Sequence, residues 1–359
     1  MTAPPTARTR ALAATAGAFL LLTAGWLYLN GDLDRWTGSR ALAGACDGVL
    51  AQDETRNVLG DGPLAEDADR RLGEDGSTGG ERSLLVRCVI ERVTGQPAGD
   101  SEVEVTVHGV PTPEARRIQD ALYWGTQSVR PVPLGHGWDG FYASDGDRGT
   151  AAVLLDCPGV PGDLLVTVLA DVAGYNADNP AHRTRVARLA TATAERAADR
   201  WDCGAPRGTA PRTVPLPTGD DESVDPGRAK GTCAGVPGRG GTSRVWESPR
   251  GDSPREQCAL GGVWEPSSVL DAYYGPYAED MRRRLVGEQP AQAVLYAATA
   301  LCPDTDEPAL YVLHSTHATL SAADARATLT AFARRSATAH GCDAPTQPER
   351  PDPPETGRG

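Results

Sequence analysis

The feature that most constrains this chain is a set of eight cysteines that falls into two similar groups of four. An even number of cysteines, with no short C-x-x-C pair, is typical of disulfide bonds rather than of zinc ligands. Disulfide bonds persist in oxidising compartments, so the cysteines predict an exported protein. The two groups are Cys46, Cys88, Cys157 and Cys203, followed by Cys233, Cys258, Cys302 and Cys342.

The residues around the cysteines recur in the same order in both groups. The matching segments are 45–49 with 232–236, 87–90 with 257–260, 151–158 with 297–303, and 203–206 with 342–345. Four matches in one order predict a tandem duplication with two divergent copies. The second copy is shorter between its first and second cysteines, and again between its second and third.

The amino-terminal region contains an uncharged apolar stretch at residues 11–29. As a helix it would be about 28 Å long, close to the thickness of a hydrocarbon core. Arg8 and Arg10 precede it, which predicts a single-pass anchor in the cell membrane with a cytoplasmic amino terminus and an extracellular remainder. The alternatives are a cleaved signal peptide and a lipoprotein signal ending before Cys46. Both are disfavoured because the small-residue sites lie far beyond the apolar stretch.

Composition along the chain predicts seven segments. Residues rich in proline and acidic groups, with little to bury, are read as a linker and a tail. The segments are a cytoplasmic stub at 1–10, a transmembrane helix at 11–29, a spacer at 30–45, a first repeat domain at 46–206, a linker at 207–231, a second repeat domain at 232–345 and a disordered tail at 346–359.

Hydrophobic periodicity predicts a similar mixture of strands and helices in both domains. Strand pairs with helices between them indicate an α+β fold. We therefore expect one N-terminal transmembrane helix followed by two related domains, each an antiparallel sheet with helices packed on one face. The predicted strands are 83–92, 102–108, 150–156, 164–172, 292–301 and 309–314, and the predicted helices are 53–59, one from Thr112, 183–201 and 321–339.

The opening of the first domain resembles a family of exported actinobacterial domains of unassigned activity, many of them lipoproteins. The resemblance lies in CDGVL at 46–50 and in the acidic helix that ends in VLG at 58–60. It implies an exported α+β domain and transfers no catalytic residue. The residue pattern alone leaves three pairings open within each group of four cysteines. The resemblance favours pairing the first two, which implies Cys46–Cys88, Cys157–Cys203, Cys233–Cys258 and Cys302–Cys342.

The chain contains no recognisable catalytic or cofactor motif, such as a nucleophile elbow, a zinc-protease motif or a phosphate-binding loop. The preferred hypothesis is therefore a non-enzymatic extracytoplasmic binding or structural protein that needs no cofactor. The alternative is a cell-envelope enzyme with scattered site residues, for which His136 and Asp139 are the nearest to an acid–base pair.

One segment combines tyrosines and arginines, residue types that are enriched at protein interfaces. The predicted interaction patch consists of Tyr273, Tyr274, Tyr277, Arg282, Arg283 and Arg284. The formal net charge of −13, from 48 acidic and 35 basic residues, argues against a nucleic acid partner. The expected partners are the membrane, through residues 11–29, and an extracytoplasmic protein or cell-wall ligand of unknown identity.

Overall fold

A computed structural model describes eleven stretches of the chain, and each structural statement below concerns these stretches. They contain two antiparallel sheets and four helices. The described residues are 42–67, 84–93, 101–110, 131–144, 147–158, 163–216, 222–262, 266–287, 293–303, 308–315 and 320–351.

The first domain is a seven-stranded antiparallel sheet with two helices on one face. Its strands follow the order β1-β2-β3-β7-β6-β5-β4. Its elements are α1 (Gln52–Leu59), β1 (Leu64–Glu66), β2 (Leu84–Arg92), β3 (Glu102–Val110), β4 (Val132–Gly135), β5 (Trp138–Ser144), β6 (Arg148–Leu155), β7 (Asp163–Asp171) and α2 (Pro180–Arg200).

Local sequence explains how this sheet and its long helix form. Val103, Val105 and Val107 alternate along β3 and are fully buried in the core beneath α2. Helix α2 starts at Pro180, whose missing N–H costs nothing at a first helical position. The Asn179 side chain caps this helix by accepting a hydrogen bond from the Ala181 backbone N–H.

The second domain is a five-stranded antiparallel sheet with the order β11-β12-β10-β9-β8. This order reproduces β6-β7-β3-β2-β1 of the first domain, and the β4–β5 hairpin has no counterpart in the described part of the second. The elements are β8 (Arg244–Glu247), β9 (Arg255–Gly261), β10 (Pro266–Tyr273), α3 (Pro276–Gly287), β11 (Ala293–Ala300), β12 (Ala309–Ser315) and α4 (Ala322–Ala339).

Each domain has its own core, and a third cluster of buried side chains joins the two. Here the Phe141 ring of β5 meets the Tyr277 ring of α3 edge to face, with 5.7 Å between their centroids. The cluster also takes in residues of β6, β7, β10 and β12. We call it the shared cluster, and it consists of Phe141, Ala143, Ala152, Leu165, Tyr273, Tyr277, Ala278, Met281, Leu310 and Val312.

The predicted fold class needs correction. Helices lie on both faces of the second sheet, because α4 packs on the face that carries Tyr311 and Leu313 while α3 packs on the face that carries Leu310 and Val312. In the described stretches no helix is long and apolar enough to cross a membrane. The predicted span at residues 11–29 lies outside those stretches.

The eight cysteines form four disulfide bonds with the pairing that the resemblance implies, so that prediction is confirmed. In each domain, one bond joins the start of the domain to its second strand. Another bond joins the end of a strand to the end of the closing helix. The Cα–Cα distances are 5.3 Å for Cys46–Cys88, 4.7 Å for Cys157–Cys203, 5.1 Å for Cys233–Cys258 and 3.9 Å for Cys302–Cys342.

Part of the predicted linker packs against the first domain. The Trp138 indole N–H donates to the Thr209 carbonyl at 3.0 Å, and the Arg188 guanidinium donates to the Pro211 carbonyl at 2.7 Å. Val214 is buried. Proline removes backbone donors from this segment but leaves its carbonyls, and side chains of the domain use those carbonyls as acceptors.

Residues on either side of the predicted domains are also ordered. Leu42, from the predicted spacer, is buried in the first core. At the other end, the backbones of Glu349 and Ala297 exchange two hydrogen bonds, and the Thr346 N–H donates to the Thr299 carbonyl. The start of the predicted tail therefore lies along strand β11, because an edge strand offers unpaired backbone groups to a neighbouring segment.

We predict that the Cys157–Cys203 bond holds the carboxyl end of α2 on the sheet. Replacing both cysteines by alanine opens a loop with a sequence separation of 46 residues, which costs about 4 kcal/mol in the chain-entropy model. Hydrogen exchange in the last turns of α2 should accelerate in the double variant. The matched Cys302→Ala, Cys342→Ala variant should leave α2 protected, and unchanged exchange in both variants would contradict this role.

Buried His108 should make stability pH-dependent. Its Nδ1 is buried without a hydrogen-bond partner in the described stretches, and burial lowers the pKa of its imidazole from 6.5 to about 4. As the pH falls through this window, the unfolded chain binds a proton before the folded chain does. The free energy of unfolding should therefore fall by about 3 kcal/mol between pH 7 and pH 4 from this group.

Urea unfolding of wild-type protein and of His108→Leu over this pH range measures that contribution. The variant should lose less stability on acidification than the wild type. Val107→Ala, at a neighbouring buried position of β3 that carries no titratable group, serves as the control and should retain the wild-type pH dependence. Equal slopes for wild type and His108→Leu would show that His108 does not titrate as described.

Candidate functional site

A surface pocket of about 220 Å³ lies in the first domain where four segments meet. These segments are the end of α1, the end of β2, the turn after β7 and the first turns of α2. Concave sites with apolar walls and a few convergent polar groups are the usual places for small ligands. The lining residues are Asn57, Val58, Gly60, Arg92, Val172, Ala173, Gly174, Tyr175, His182, Arg185 and Val186.

One glycine makes room for Arg92 in this pocket. Gly60 ends α1 with a φ of +88°, a conformation that favours glycine, and a Cβ at this position would collide with the Arg92 guanidinium. The turn after α1 therefore determines the path of the arginine side chain.

The opposite wall is held by hydrogen bonds around Tyr175 and His182. The Tyr175 hydroxyl is hydrogen-bonded to the Tyr142 hydroxyl of the first core. The Asn176 N–H donates to His182 Nδ1 at 3.1 Å, so the neutral imidazole carries its proton on Nε2. The two rings are 5.4 Å apart. This wall therefore has an aromatic surface with one imidazole N–H donor.

The charge of the pocket is opposite to that of the chain as a whole. The lining has two guanidinium groups and one imidazole and no carboxylate, although the net charge of the chain is −13. In the described stretches no ion pair joins Arg92 or Arg185 to a carboxylate. The pocket therefore presents two guanidinium groups without a carboxylate partner, and these can bind an acceptor.

A second polar group surrounds Glu256 in the interior of the second domain. Its carboxylate accepts hydrogen bonds from Arg335, from the Ser336 hydroxyl at 2.9 Å and from His340 Nε2 at 3.3 Å. Burial opposes the charged carboxylate, but the bonds from His340 and Arg335 outweigh it and lower the pKa of Glu256. The Tyr274 ring stacks on the His340 ring at 3.8 Å.

This Glu256 group is closed to ligands and is structural. Glu256 and Ser336 are buried, and the carboxylate is occupied by three donors. Tyr274 donates or accepts at both Ser336 and Tyr311, and burial raises the pKa of Tyr274 well above its usual range and that of Tyr311 to about 12. Both hydroxyls therefore stay protonated and act as hydrogen-bonding groups that fix α4 on the sheet.

A third polar group lies on the opposite face of the same sheet. Asp271 accepts a hydrogen bond from the Gln257 amide at 3.0 Å, and Arg255 and His314 each approach its carboxylate at 3.6 Å. All four residues are buried. Burial lowers the pKa of His314, so this imidazole is neutral near pH 7. The four residues therefore form a buried polar group on the same sheet face as the shared cluster.

The three tyrosines of the predicted interaction patch are buried rather than on the surface. Tyr273 and Tyr277 belong to the shared cluster, and Tyr274 belongs to the second core. Their burial removes them from the surface that the patch required. Arg282 donates to the Pro308 carbonyl at 2.6 Å, which fixes α3 beside β12. The side chains of Arg283 and Arg284 lie outside the described residues.

His136 and Asp139 occupy the turn and the start of strand β5, and no hydrogen bond of the described stretches joins their side chains. His136 Nε2 instead accepts from the Arg212 N–H at 3.2 Å, and the His136 carbonyl accepts from the Thr209 N–H. Desolvation raises the pKa of the Asp139 carboxyl to about 6, although part of the side chain is exposed. His136 therefore fastens the segment after α2 to the sheet.

Comparison of the chain with models of protein families, with curated proteins and with solved structures finds no match. The resemblance to exported actinobacterial domains stays a prediction. The pocket therefore has to be interpreted from its own residues.

Proposed function

We propose that the protein is a non-enzymatic, extracytoplasmic binding protein whose first domain takes a small ligand in the Arg92–Arg185 pocket. Four disulfide bonds fit a protein that works in an oxidising compartment. The matching cysteine contexts and the matching order of five strands support an origin by duplication of one module. Membrane attachment through residues 11–29 stays a prediction from the sequence.

The observation that carries this proposal is the contrast between the pocket and the two other polar groups. Glu256 and Asp271 are buried and already surrounded by donors from their own domain. Arg185, by contrast, is exposed at the pocket and Arg92 is partly exposed, and in the described stretches neither pairs with a carboxylate. These two guanidinium groups share one concave site, which is the arrangement that ligand recognition requires.

A bulky residue on the apolar wall should block this site. Val58 is a half-buried lining residue on α1, and Val58→Phe should fill the pocket while keeping a helix-compatible side chain. Val93→Phe is the matched control, because Val93 is 54% exposed and lies outside the lining. The probes are butyrate, butyramide, butylamine and inorganic phosphate, titrated into purified full-length protein. Saturation-transfer NMR detects binding of the three organic probes, and broadening of the phosphorus NMR signal detects binding of phosphate.

The proposal predicts that at least one probe binds the wild type and Val93→Phe and loses most of its binding to Val58→Phe. Binding of no probe to the wild type would overturn the assignment of this pocket as a ligand site. Binding that is the same in all three proteins would also overturn it, because the bound position would then lie elsewhere.

A further inference from the structure

We infer that the ligand of this pocket is a small organic anion, with an oxyanionic group that binds between Arg92 and Arg185 and a short apolar body that packs on the valines. The inference rests on the proposed function and deepens it. It assigns the chemical class of the ligand from the charges and the shape of the lining.

The charges of the lining select an anion. Arg92 and Arg185 each bring a guanidinium cation to the lining. A guanidinium presents its N–H groups in a planar fork that matches the two oxygens of a carboxylate or phosphate. The lining residues contain no carboxylate that competes for these donors.

Local surroundings, rather than the overall charge, favour an anion in this pocket. The chain carries 48 acidic residues and its overall field opposes anion binding, so the preference for an anion depends on a lining that contains no carboxylate. Partial burial of Arg92 lowers the dielectric around its charge, so an ion pair formed there is stronger than one formed on an open surface. The His182 Nε2–H adds a further donor at the same wall.

The apolar part of the lining selects an organic molecule over a bare inorganic ion. The accessible apolar part of the lining consists of Val58, Val172 and Tyr175, whereas Val186 lies beneath it and is fully buried. Inorganic phosphate would leave these surfaces without a partner, whereas a short carbon chain would bury against them. The volume of about 220 Å³ is below the range of about 300–1,000 Å³ that holds drug-sized ligands. The pocket therefore suits a small molecule or one terminal group of a larger one.

Titrations of full-length protein with four small probes separate the contribution of charge from that of the apolar body. Butyrate, butyramide and butylamine share a carbon skeleton and differ in charge, while acetate keeps the charge and shortens the skeleton. Butyrate should bind about tenfold or more tightly than butyramide, because hydrogen bonds to charged groups are the stronger ones. It should bind several-fold more tightly than acetate, because each buried methylene adds to affinity. Butylamine should not bind in the pocket.

Charge-removing variants locate the oxyanion. Arg92→Gln and Arg185→Gln should each weaken butyrate binding about tenfold while leaving butyramide binding nearly unchanged. Arg212→Gln is the matched control, since Arg212 is an exposed arginine of the same domain outside the lining, and it should bind butyrate as the wild type does. Shifts of the His182 ring proton signals in the same titrations report binding at this wall directly.

The outcomes distinguish this inference from the proposed function. If butyramide or butylamine binds the pocket as tightly as butyrate, the anion inference is overturned while the ligand site stands. If inorganic phosphate binds more tightly than butyrate, the organic part of the inference is overturned. If Arg212→Gln weakens butyrate binding as much as Arg92→Gln does, the effect is one of overall charge and the assignment to this pocket is overturned.

Discussion

The packing of Phe141 against Tyr277 is the contact on which the arrangement of the two domains depends. It lies in the shared cluster, where the face of the first sheet opposite α2 meets α3 and the second sheet. Burial there removes from water the sheet faces that an isolated domain would expose, and hydrophobic burial is the main favourable term in folding. The four disulfide bonds act within domains, so non-covalent contacts join the two: this apolar cluster and a buried hydrogen bond from the Ser248 hydroxyl to the Pro131 carbonyl.

Local structure was predicted well from the sequence wherever one residue type determines the backbone. Gly60 ends α1, the Ser321 hydroxyl accepts from the Asp324 N–H at the start of α4, and the valines of β3 alternate as the pattern requires. The two-sided burial of the sheets was missed. Its signal is the continuous apolar run at 151–155, since strands covered on both faces lose the alternation of polar and apolar residues.

The pocket could not be predicted from the sequence, because its charged residues come from separate elements. Arg92 ends β2 and Arg185 lies in α2, and only the fold brings them to one cavity. Each taken alone is an ordinary charged residue on an amphipathic element. For the tyrosine and arginine segment, the residue types predicted a surface that binds another protein. Tyr273 and Tyr277 instead pack between the two domains of the same molecule.

A double-mutant cycle at the shared cluster tests the central claim that the two sheets are energetically joined. Phe141→Ala and Tyr277→Ala should each destabilise the full-length protein by about 3–5 kcal/mol in denaturant unfolding. The double variant should be more stable than the sum of the single losses implies, by about 0.5–1.5 kcal/mol or more, because both remove one aromatic contact. Strict additivity, with the two domains unfolding independently in the wild type, would contradict the account.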